Sequence, residues 1–275
     1  MKIAVIGNGF LAHAFRLAGH TIISDLRLCP VDDPEHMCLQ VEERFDELDI
    51  ADADAVVNCV GRADTRWNED PVNAEEAMFV NGEIPRILSY ACRTKNKRFV
   101  HISTGCLYDD ESRLVPEDSF LAAHCFYVVT KWIAEQQLDP TRDLIIRPRL
   151  LFADYPNKFN QVQKLQTFDK LLNVENSYTS NHVIVEAVEA LLNANQRGPF
   201  NVACEKSLTA GELGQLTGPL RPALTSKELR DGQKIHLVNN VMDLSKLKQF
   251  YQPPKLKDEW LRCYNKLVEE GHIVG

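Results

Sequence analysis

The sequence predicts an α/β protein in which a doubly wound parallel sheet is followed by a smaller part of mixed α/β structure. In the first half of the chain, short apolar runs alternate with amphipathic segments. After about residue 150 this alternation gives way to stretches broken by Pro and Asn. Continuous apolar strands separated by helices are typical of a parallel sheet covered on both faces, so we expect the Rossmann-type architecture with a cap.

The boundaries of the elements follow from the same patterns. Strands are predicted at Lys2–Ile6, Thr21–Ser24, Ala55–Val60, Arg98–Ser103 and Leu144–Ile146. Helices are predicted at 10–18, 74–94 and 123–138, and in the second half near 158–172, 182–195 and 257–270, with a short strand at Phe200–Ala203. We therefore expect a first domain of residues 1–150 with parts of 173–205, and a cap formed mainly by 151–275.

The composition narrows the class of protein. A net charge of -8 argues against a nucleic-acid binder, because such binding depends on clustered Lys and Arg. The eight cysteines form no C-x-x-C pair, so we expect free thiols and no metal site. The first strand begins directly after Met1-Lys2, and no apolar stretch reaches the roughly 18 residues of a membrane span. We expect a cytoplasmic protein without a membrane partner.

A glycine-rich turn follows the first strand. Gly7-Asn8-Gly9-Phe10-Leu11-Ala12 has the form G-x-G-x-x-A and opens a helix. Gly7 and Gly9 let the backbone approach a pyrophosphate, and the amides of Phe10 and Leu11 lie at the helix N-terminus, where the helix dipole stabilises negative charge. The position between a strand and a helix favours a dinucleotide site over a plain turn.

Two charged residues after the second strand bear on the choice of dinucleotide. Asp25 suits the ribose diol of NADH, whereas Arg27 suits the 2′-phosphate of NADPH. A solvated turn is an equally good interpretation of this stretch. The sequence therefore leaves the choice between NADPH and NADH open.

Three residues form a constellation for hydride transfer to or from a carbonyl. Thr104 directly follows the fourth predicted strand, and Tyr127 and Lys131 lie four apart on one face of the next long helix. We expect Lys131 to lower the pKa of Tyr127, which then donates a proton to the carbonyl oxygen while Thr104 donates a second hydrogen bond. Another Y-x-x-x-K occurs at Tyr251–Lys255, but its two prolines exclude a helix there.

At these residues the chain resembles the extended short-chain dehydrogenases. The similarity continues through Asn58–Gly61, Asn81, Gly198–Val202 and Arg147-Pro148-Arg149, the turn whose backbone touches the nicotinamide in that family, and it covers nearly the whole chain. It departs at the first turn, which is shorter than the usual G-x-x-G-x-x-G. The resemblance implies an enzyme that uses NADPH or NADH, binds a sugar-nucleotide substrate in its cap and forms a homodimer.

The resemblance also assigns residues to the two ligands. Its cofactor-binding positions are Gly7, Gly9, Phe10, Leu11, Asp25, Arg27, Cys59, Val60, Gly61, Asn81, Tyr127, Lys131 and Arg147. Its substrate-binding positions are Thr65, Thr104, Cys106 and Arg149, to which Asn240 of the cap is added, with Asn239 and Arg221 as further candidates near the nucleotide base.

Cys106 adds a second expected chemistry. Thr104-Gly105-Cys106-Leu107-Tyr108 resembles a sequence of the bifunctional 3,5-epimerase/4-reductases that make nucleotide-linked L-rhamnose, and the stretch from Lys164 to Ser177 resembles their cap helix and following strand. A 4-ketone acidifies the hydrogens on C3 and C5, which a base and an acid on opposite faces invert. The resemblance implies that Cys106 is the base, that Lys164 is the acid, and that UDP is favoured over dTDP as the nucleotide.

Three other interpretations stay open. A simple 4-ketoreductase similar to dTDP-4-dehydrorhamnose reductase has no need of the thiol. An enzyme similar to GDP-fucose synthase also has a cysteine at this position but uses a histidine as the acid, which the match at Lys164 disfavours. A non-catalytic, reductase-like regulatory subunit keeps the fold without turnover, and the intact Thr104, Tyr127 and Lys131 favour an enzyme over it.

Overall fold

Two units make up the chain, of which the computed structural model describes residues 1–23, 50, 52–108, 114–122, 124–225, 227–228 and 239–273. Unit 1 comprises Met1–Leu107, Leu121–Arg147 and Leu191–Phe200. Unit 2 comprises Tyr108–Phe120, Pro148–Ala190 and Asn201–Gly275. None of the described helices is both long enough and apolar enough to cross a membrane.

The described part of the chain contains short strands and α-helices. The strands are β1 (Ile3–Ile6), β2 (Thr21–Ile23), β3 (Ala55–Asn58), β4 (Arg98–Ile102), β5 (Leu114–Val115), β6 (Leu144–Pro148), β7 (Leu151–Phe152), β8 (Leu171–Leu172), β9 (Glu175–Asn176), β10 (Thr179–Ser180), β11 (Gly198–Val202), β12 (Leu208–Thr209), β13 (Ala223–Leu224) and β14 (Val241–Met242). The α-helices are α1 (Phe10–Leu17), α2 (Thr65–Asn68), α3 (Ala74–Met78), α4 (Ile84–Thr94), α5 (Phe126–Gln137), α6 (Gln161–Thr167), α7 (Asn181–Asn193), α8 (Ala210–Thr217) and α9 (Leu256–Glu269).

Six of the described strands form the central sheet, in the order β11-β6-β4-β3-β1-β2. The neighbouring pairs from β2 to β6 are parallel. Every residue of β1 and β3 is buried, because strands covered on both faces have no solvent-facing side. The α/β fold with a Rossmann-type parallel sheet, predicted from the sequence, is confirmed.

The helix predicted over 74–94 is interrupted in the structure. After α3 a wider π-helical turn spans Phe79–Glu83, and α4 then begins. Pro85 has no N–H to donate to the preceding turn, and a wider turn accommodates this loss. Beyond it, Ile84, Ile87 and Leu88 of α4 recur at helical spacing and belong to the buried apolar cluster of unit 1.

The helix predicted near 158–172 is shorter than expected. The α6 helix ends at Thr167, and β8 pairs in parallel with β13 soon afterwards. The Arg221 guanidinium donates hydrogen bonds to the carbonyl oxygens of Leu165 and Phe168. These bonds satisfy carbonyl groups that a helix end leaves without an intrahelical donor, so the helix stops there.

Candidate active site

The carboxyl ends of β1 and β3 meet where the strand order reverses. From β1 the chain passes to β2 on one side and later to β3 on the other. Open α/β sheets bind ligands in the crevice that such a reversal leaves outside the strand ends. The loops at this point are 7–9 and 59–61, both predicted from the sequence to bind the cofactor.

Gly7 and Gly9 have different structural roles in the first of these loops. Gly7 has a φ of +121°, and a Cβ there would lie 3.1 Å from the carbonyl carbon of Cys59 and 3.2 Å from the amide nitrogen of Val60. A Cβ on Gly9, the N-cap of α1, would meet no described atom within 4 Å. The turn is therefore tightly packed at Gly7 and open at Gly9, which fits a pyrophosphate at the N-terminus of α1.

Phe10 and Leu11 place their side chains in the core. Phe10 is 9% exposed and Leu11 is 8% exposed. Both stand in the first turn of α1, where backbone amides point toward the helix N-terminus. Any contact of these two residues with a ligand therefore comes from the backbone.

A matched pair of glycine variants tests the packing of this turn. We expect Gly7→Ala to lower the free energy of unfolding by about 1–3 kcal/mol, because it combines a positive φ with a close backbone contact. Gly9→Ala should change it by less than about 0.5 kcal/mol, since its new methyl group projects into open space. Urea unfolding measures both. Equal stabilities of the two variants would contradict the assigned packing role of Gly7.

Asn81, in the π-helical turn, holds the loop after β3. Its Oδ1 accepts a hydrogen bond from the amide of Arg62 at 2.8 Å, and its Nδ2 donates to Thr130 Oγ1 on α5 at 3.1 Å. A Cβ on Gly61 would lie 3.4 Å from Asn81 Oδ1. Asn81 therefore joins the loop to α5 and fixes the position of Gly61.

Thr104, Cys106 and Tyr127 lie close together after β4. Thr104 is 6% exposed, and its Oγ1 accepts a hydrogen bond from the amide of Cys106 at 3.1 Å. Burial raises the pKa of the Tyr127 phenol, the Cys106 thiol raises it further, and a hydrogen bond with Thr104 lowers it. The expected lowering of the pKa of Tyr127 is wrong, because burial outweighs the opposing interactions.

The amine of Lys131 contacts the end of β4. Lys131 is 4% exposed, and its Nζ donates a hydrogen bond to the carbonyl oxygen of Ile102 at 2.8 Å. Burial lowers the pKa of Lys131 to about 8, although Glu135 and Cys59 raise it. Lys131 is therefore a buried group whose charge is lost not far above neutral pH.

Two residues that the motif did not assign hold the start of α5. Glu69 Oε1 accepts a hydrogen bond from the amide of Tyr127 at 3.1 Å, which places a carboxylate at the N-terminus of the helix. Cys125 is the N-cap of this helix. Burial raises the pKa of Cys125 to about 11, with smaller contributions from Glu69 and Cys106. Cys125 is therefore a neutral thiol beside the catalytic candidates.

Arg147 forms a buried ion pair with Glu135 of α5. Its NH2 nitrogen lies 2.5 Å from Glu135 Oε2, and the two side chains are 5% and 4% exposed. Ser103 Oγ donates a hydrogen bond to Glu135 Oε1 at 2.5 Å. The side chain of Arg147 thus ties β6 to α5, and the backbone contact with the cofactor that the resemblance implies stays a prediction.

Unit 2 contains Arg149 and Asn240, both predicted to bind substrate. Arg149 Nε donates to Asn176 Oδ1 at 3.0 Å, and the amide of Asn240 donates to the same oxygen at 3.2 Å. Asn176 Nδ2 donates in turn to Asn239 Oδ1 at 2.8 Å. The structure thus brings Arg149, Asn239 and Asn240 into one buried polar network, whereas Arg221 binds the end of α6.

The other predicted site residues lie in varied surroundings. Lys164 is half-buried on α6, with its Nζ 5.7 Å from the centre of the Phe159 ring. Thr65 is the first residue of α2, and Asp64 is the N-cap of that helix. Asp25 and Arg27 lie outside the described residues. The roles assigned to these residues stay predictions.

Fold and site together define a class of protein. Unit 1 has a doubly wound parallel sheet with a glycine turn at the strand reversal, Thr104 shortly after β4, and Tyr127 and Lys131 on α5. The profile of the RmlD substrate-binding domain family matches residues 1–215. The chain belongs to this family.

One relative is similar in sequence over part of the chain. A dTDP-4-keto-6-deoxy-D-glucose reductase of Streptomyces niveus is 31% identical over 120 residues, which cover 42% of this chain and 40% of that protein. The match thus spans less than half the length of this relative.

Solved structures match over a greater length. The UDP-rhamnose synthase of Acanthamoeba polyphaga mimivirus superposes with a TM-score of 0.82 at 16% identity, covering 97% of this chain and 99% of that one. The dTDP-4-dehydrorhamnose reductase of Bacillus anthracis, in complex with NADP, has a TM-score of 0.80 at 18% identity over 97% and 100% of the chains. At these identities the likeness establishes the fold alone.

Proposed function

We propose that this protein reduces the 4-keto group of a nucleotide-linked 4-keto-6-deoxy sugar with NADPH or NADH. The observation that carries the proposal is the grouping of Thr104 and Tyr127 after β4, with Lys131 one helical turn further along α5, in a member of the RmlD family. The activity named for the Streptomyces niveus relative supports the substrate class. The NADP bound to the Bacillus anthracis neighbour supports the cofactor.

The chain's own groups stabilise and protonate the oxygen on which negative charge develops. The nicotinamide supplies the hydride when it is bound. Thr104 Oγ1 accepts from the amide of Cys106 and hydrogen-bonds Tyr127, and its single proton turns to the substrate oxygen when that oxygen binds beside the two hydroxyls. Because burial raises the pKa of Tyr127, the phenol is protonated at neutral pH and acts as the acid that converts the alkoxide to the alcohol.

Oxidation of NADPH or NADH in the presence of the 4-keto sugar nucleotide tests this function. The UDP-, dTDP- and GDP-linked substrates are assayed in parallel, each with both cofactors and with a substrate-free blank. We expect substrate-dependent oxidation with at least one combination. A reductase-like regulatory subunit would give no oxidation with any of them, and that result would overturn the proposal.

We also propose that 3,5-epimerisation precedes the reduction, with a UDP-linked substrate favoured over a dTDP-linked one. In this step Cys106, as the thiolate, takes a proton from C3 or C5 to give an enolate, and the Lys164 ammonium returns a proton to the opposite face. The resulting thiol and amine then exchange protons with water, which restores both groups. The half-buried Cys106 beside Thr104 and Tyr127 supports this second chemistry.

The reaction in deuterated water distinguishes an epimerase/reductase from a simple reductase. We expect solvent deuterium at C3 and C5 of the product, because each inversion returns a solvent-derived proton. Cys106→Ala and Lys164→Ala should lose this incorporation and retain cofactor binding, whereas Lys158→Ala, which removes a neighbouring lysine near the start of α6, should keep it. A wild-type product without deuterium at either carbon means that the protein does not epimerise its substrate.

A further inference from the structure

Asn58 and His101 are buried polar side chains that have no role in the proposed reaction. His101 contacts Lys131, and Asn58 contacts His101. They are register partners on the parallel neighbours β3 and β4, and both are 0% exposed. Buried polar groups cost free energy unless their hydrogen bonds are made. The direction of these hydrogen bonds therefore determines where each proton lies.

The bonds of Asn58 determine which ring nitrogen of His101 carries the proton. Asn58 Oδ1 accepts a hydrogen bond from the amide of Val60 at 2.9 Å, so Asn58 presents its Nδ2 to His101 Nδ1 at 3.3 Å. An amide nitrogen donates only, and Nδ1 must therefore accept. Burial and the charge of Lys131 lower the pKa of His101 well below its ordinary value, so the ring is neutral and its single N–H lies on Nε2.

This N–H is directed at Lys131. Lys131 Nζ lies 3.4 Å from His101 Nε2 and donates to the carbonyl oxygen of Ile102 at 2.8 Å. An ammonium group has three donors and no acceptor, so its protons oppose the proton on Nε2. A neutral amine accepts from Nε2 and still donates to Ile102, which satisfies both contacts.

Two ionisable neighbours raise the pKa of Lys131, whereas its burial lowers it. Among the described residues, Glu135 on the same helix and Cys59 after β3 both raise the pKa of Lys131, and burial prevails. His101 on β4 is uncharged, so it acts on Lys131 through the direction of its N–H. Asn58 on β3 has no charge of its own and acts through His101.

We propose that Asn58 and His101 are positioning residues that stabilise Lys131 as a neutral amine, and thereby set the pH above which the Tyr127 and Lys131 pair loses its positive charge. The inference rests on the proposed reductase only for its kinetic consequence. The protonation of His101 and of Lys131 is measurable whether or not the protein turns over a substrate.

Nitrogen-15 NMR of the full chain with labelled histidine tests the first half of this proposal. We expect the His101 signals of a neutral ring with the proton on Nε2. In Asn58→Asp a carboxylate oxygen faces Nδ1 in place of the amide, so the proton should move to Nδ1. A wild-type ring with its proton on Nδ1, or a charged ring, overturns the proposal.

Titration of the Lys131 Nζ signal tests the second half. In His101→Gln the side-chain oxygen is able to accept from the ammonium, and we expect the midpoint of Lys131 to rise by about one pH unit. Ser89→Ala, which removes a buried hydrogen bond to Asp143 at the other end of the sheet, controls for general loosening and should leave the midpoint unchanged. An unchanged midpoint in His101→Gln overturns the proposal, and Asn58→Asp supplies the same test if that variant does not fold.

The pH profile of kcat/KM connects the pair to function. If Lys131 works as the charged form, the alkaline limb of the profile should shift upward in His101→Gln by the same amount as the NMR midpoint. An alkaline limb that stays in place while the midpoint moves would contradict the kinetic role. The NMR results expected above, obtained from a protein that turns over no sugar nucleotide, would instead refute the proposed function and leave the positioning pair intact.

Discussion

Tyr127→Phe should lower kcat for reduction of the 4-keto sugar nucleotide by about 10²- to 10⁴-fold, the range expected when a general acid is removed. The change deletes only the phenol oxygen and keeps the ring that packs beside Thr104 and Cys106. Since burial raises the pKa of this phenol, it is protonated across the neutral range and able to donate its proton. Initial rates of NADPH oxidation at saturating substrate measure the effect.

A second tyrosine of unit 1 supplies the matched control. Tyr90 lies on α4 and is 52% exposed, so Tyr90→Phe makes the same chemical change away from the site and should leave kcat unchanged. A Tyr127→Phe protein with the kcat of Tyr90→Phe would contradict the assignment of Tyr127 as the acid. Thermal melting of both variants verifies that the comparison is between folded proteins.

Glu135→Gln should lower the free energy of unfolding by about 3–5 kcal/mol, the range for removal of one partner of a buried ion pair. The change leaves the guanidinium of Arg147 buried without a countercharge, because the Arg147 side chain is only 5% exposed. It also weakens the hydrogen bond that Ser103 donates to Glu135. Urea unfolding followed by circular dichroism measures the loss.

An exposed pair provides the comparison for this result. Glu205 and Lys248 lie 2.7 Å apart with side chains 36% and 37% exposed, and Glu205→Gln should cost less than about 1 kcal/mol, because solvent screens the pair. Equal losses in Glu135→Gln and Glu205→Gln would show that the buried pair has no special part in the stability of unit 1.

The pattern of apolar residues predicted the central sheet well, because strands that are buried on both faces have continuous apolar sequences. The predicted strand Lys2–Ile6 is Ile3–Ile6 in the structure, and Arg98–Ser103 is Arg98–Ile102. Periodicity failed at α6, where the helix stops on hydrogen bonds from Arg221, a residue far along the chain. Such an ending has no signal within the helix itself.

The candidate site shows the same division between local and distant information. Thr104, Tyr127 and Lys131 follow from motif spacing, whereas no motif includes Glu69, which accepts from the Tyr127 amide, or Glu135, which pairs with Arg147. One signal was available for Asn58 and His101, since each is a polar residue that directly follows buried apolar residues of its strand. A buried polar residue in such a strand requires a partner, and here the chain of partners leads to Lys131.

Transfer of deuterium from cofactor to sugar tests the proposed reduction most directly. The protein is incubated with the 4-keto-6-deoxy sugar nucleotide and NADPH or NADH that carries deuterium at C4 of the nicotinamide, in separate preparations for the two faces of the ring. We predict that one preparation places a single deuterium at C4 of the sugar, and that Tyr127→Phe does so far more slowly. A product without deuterium at C4 from either preparation would contradict the proposal that this protein is a 4-ketoreductase.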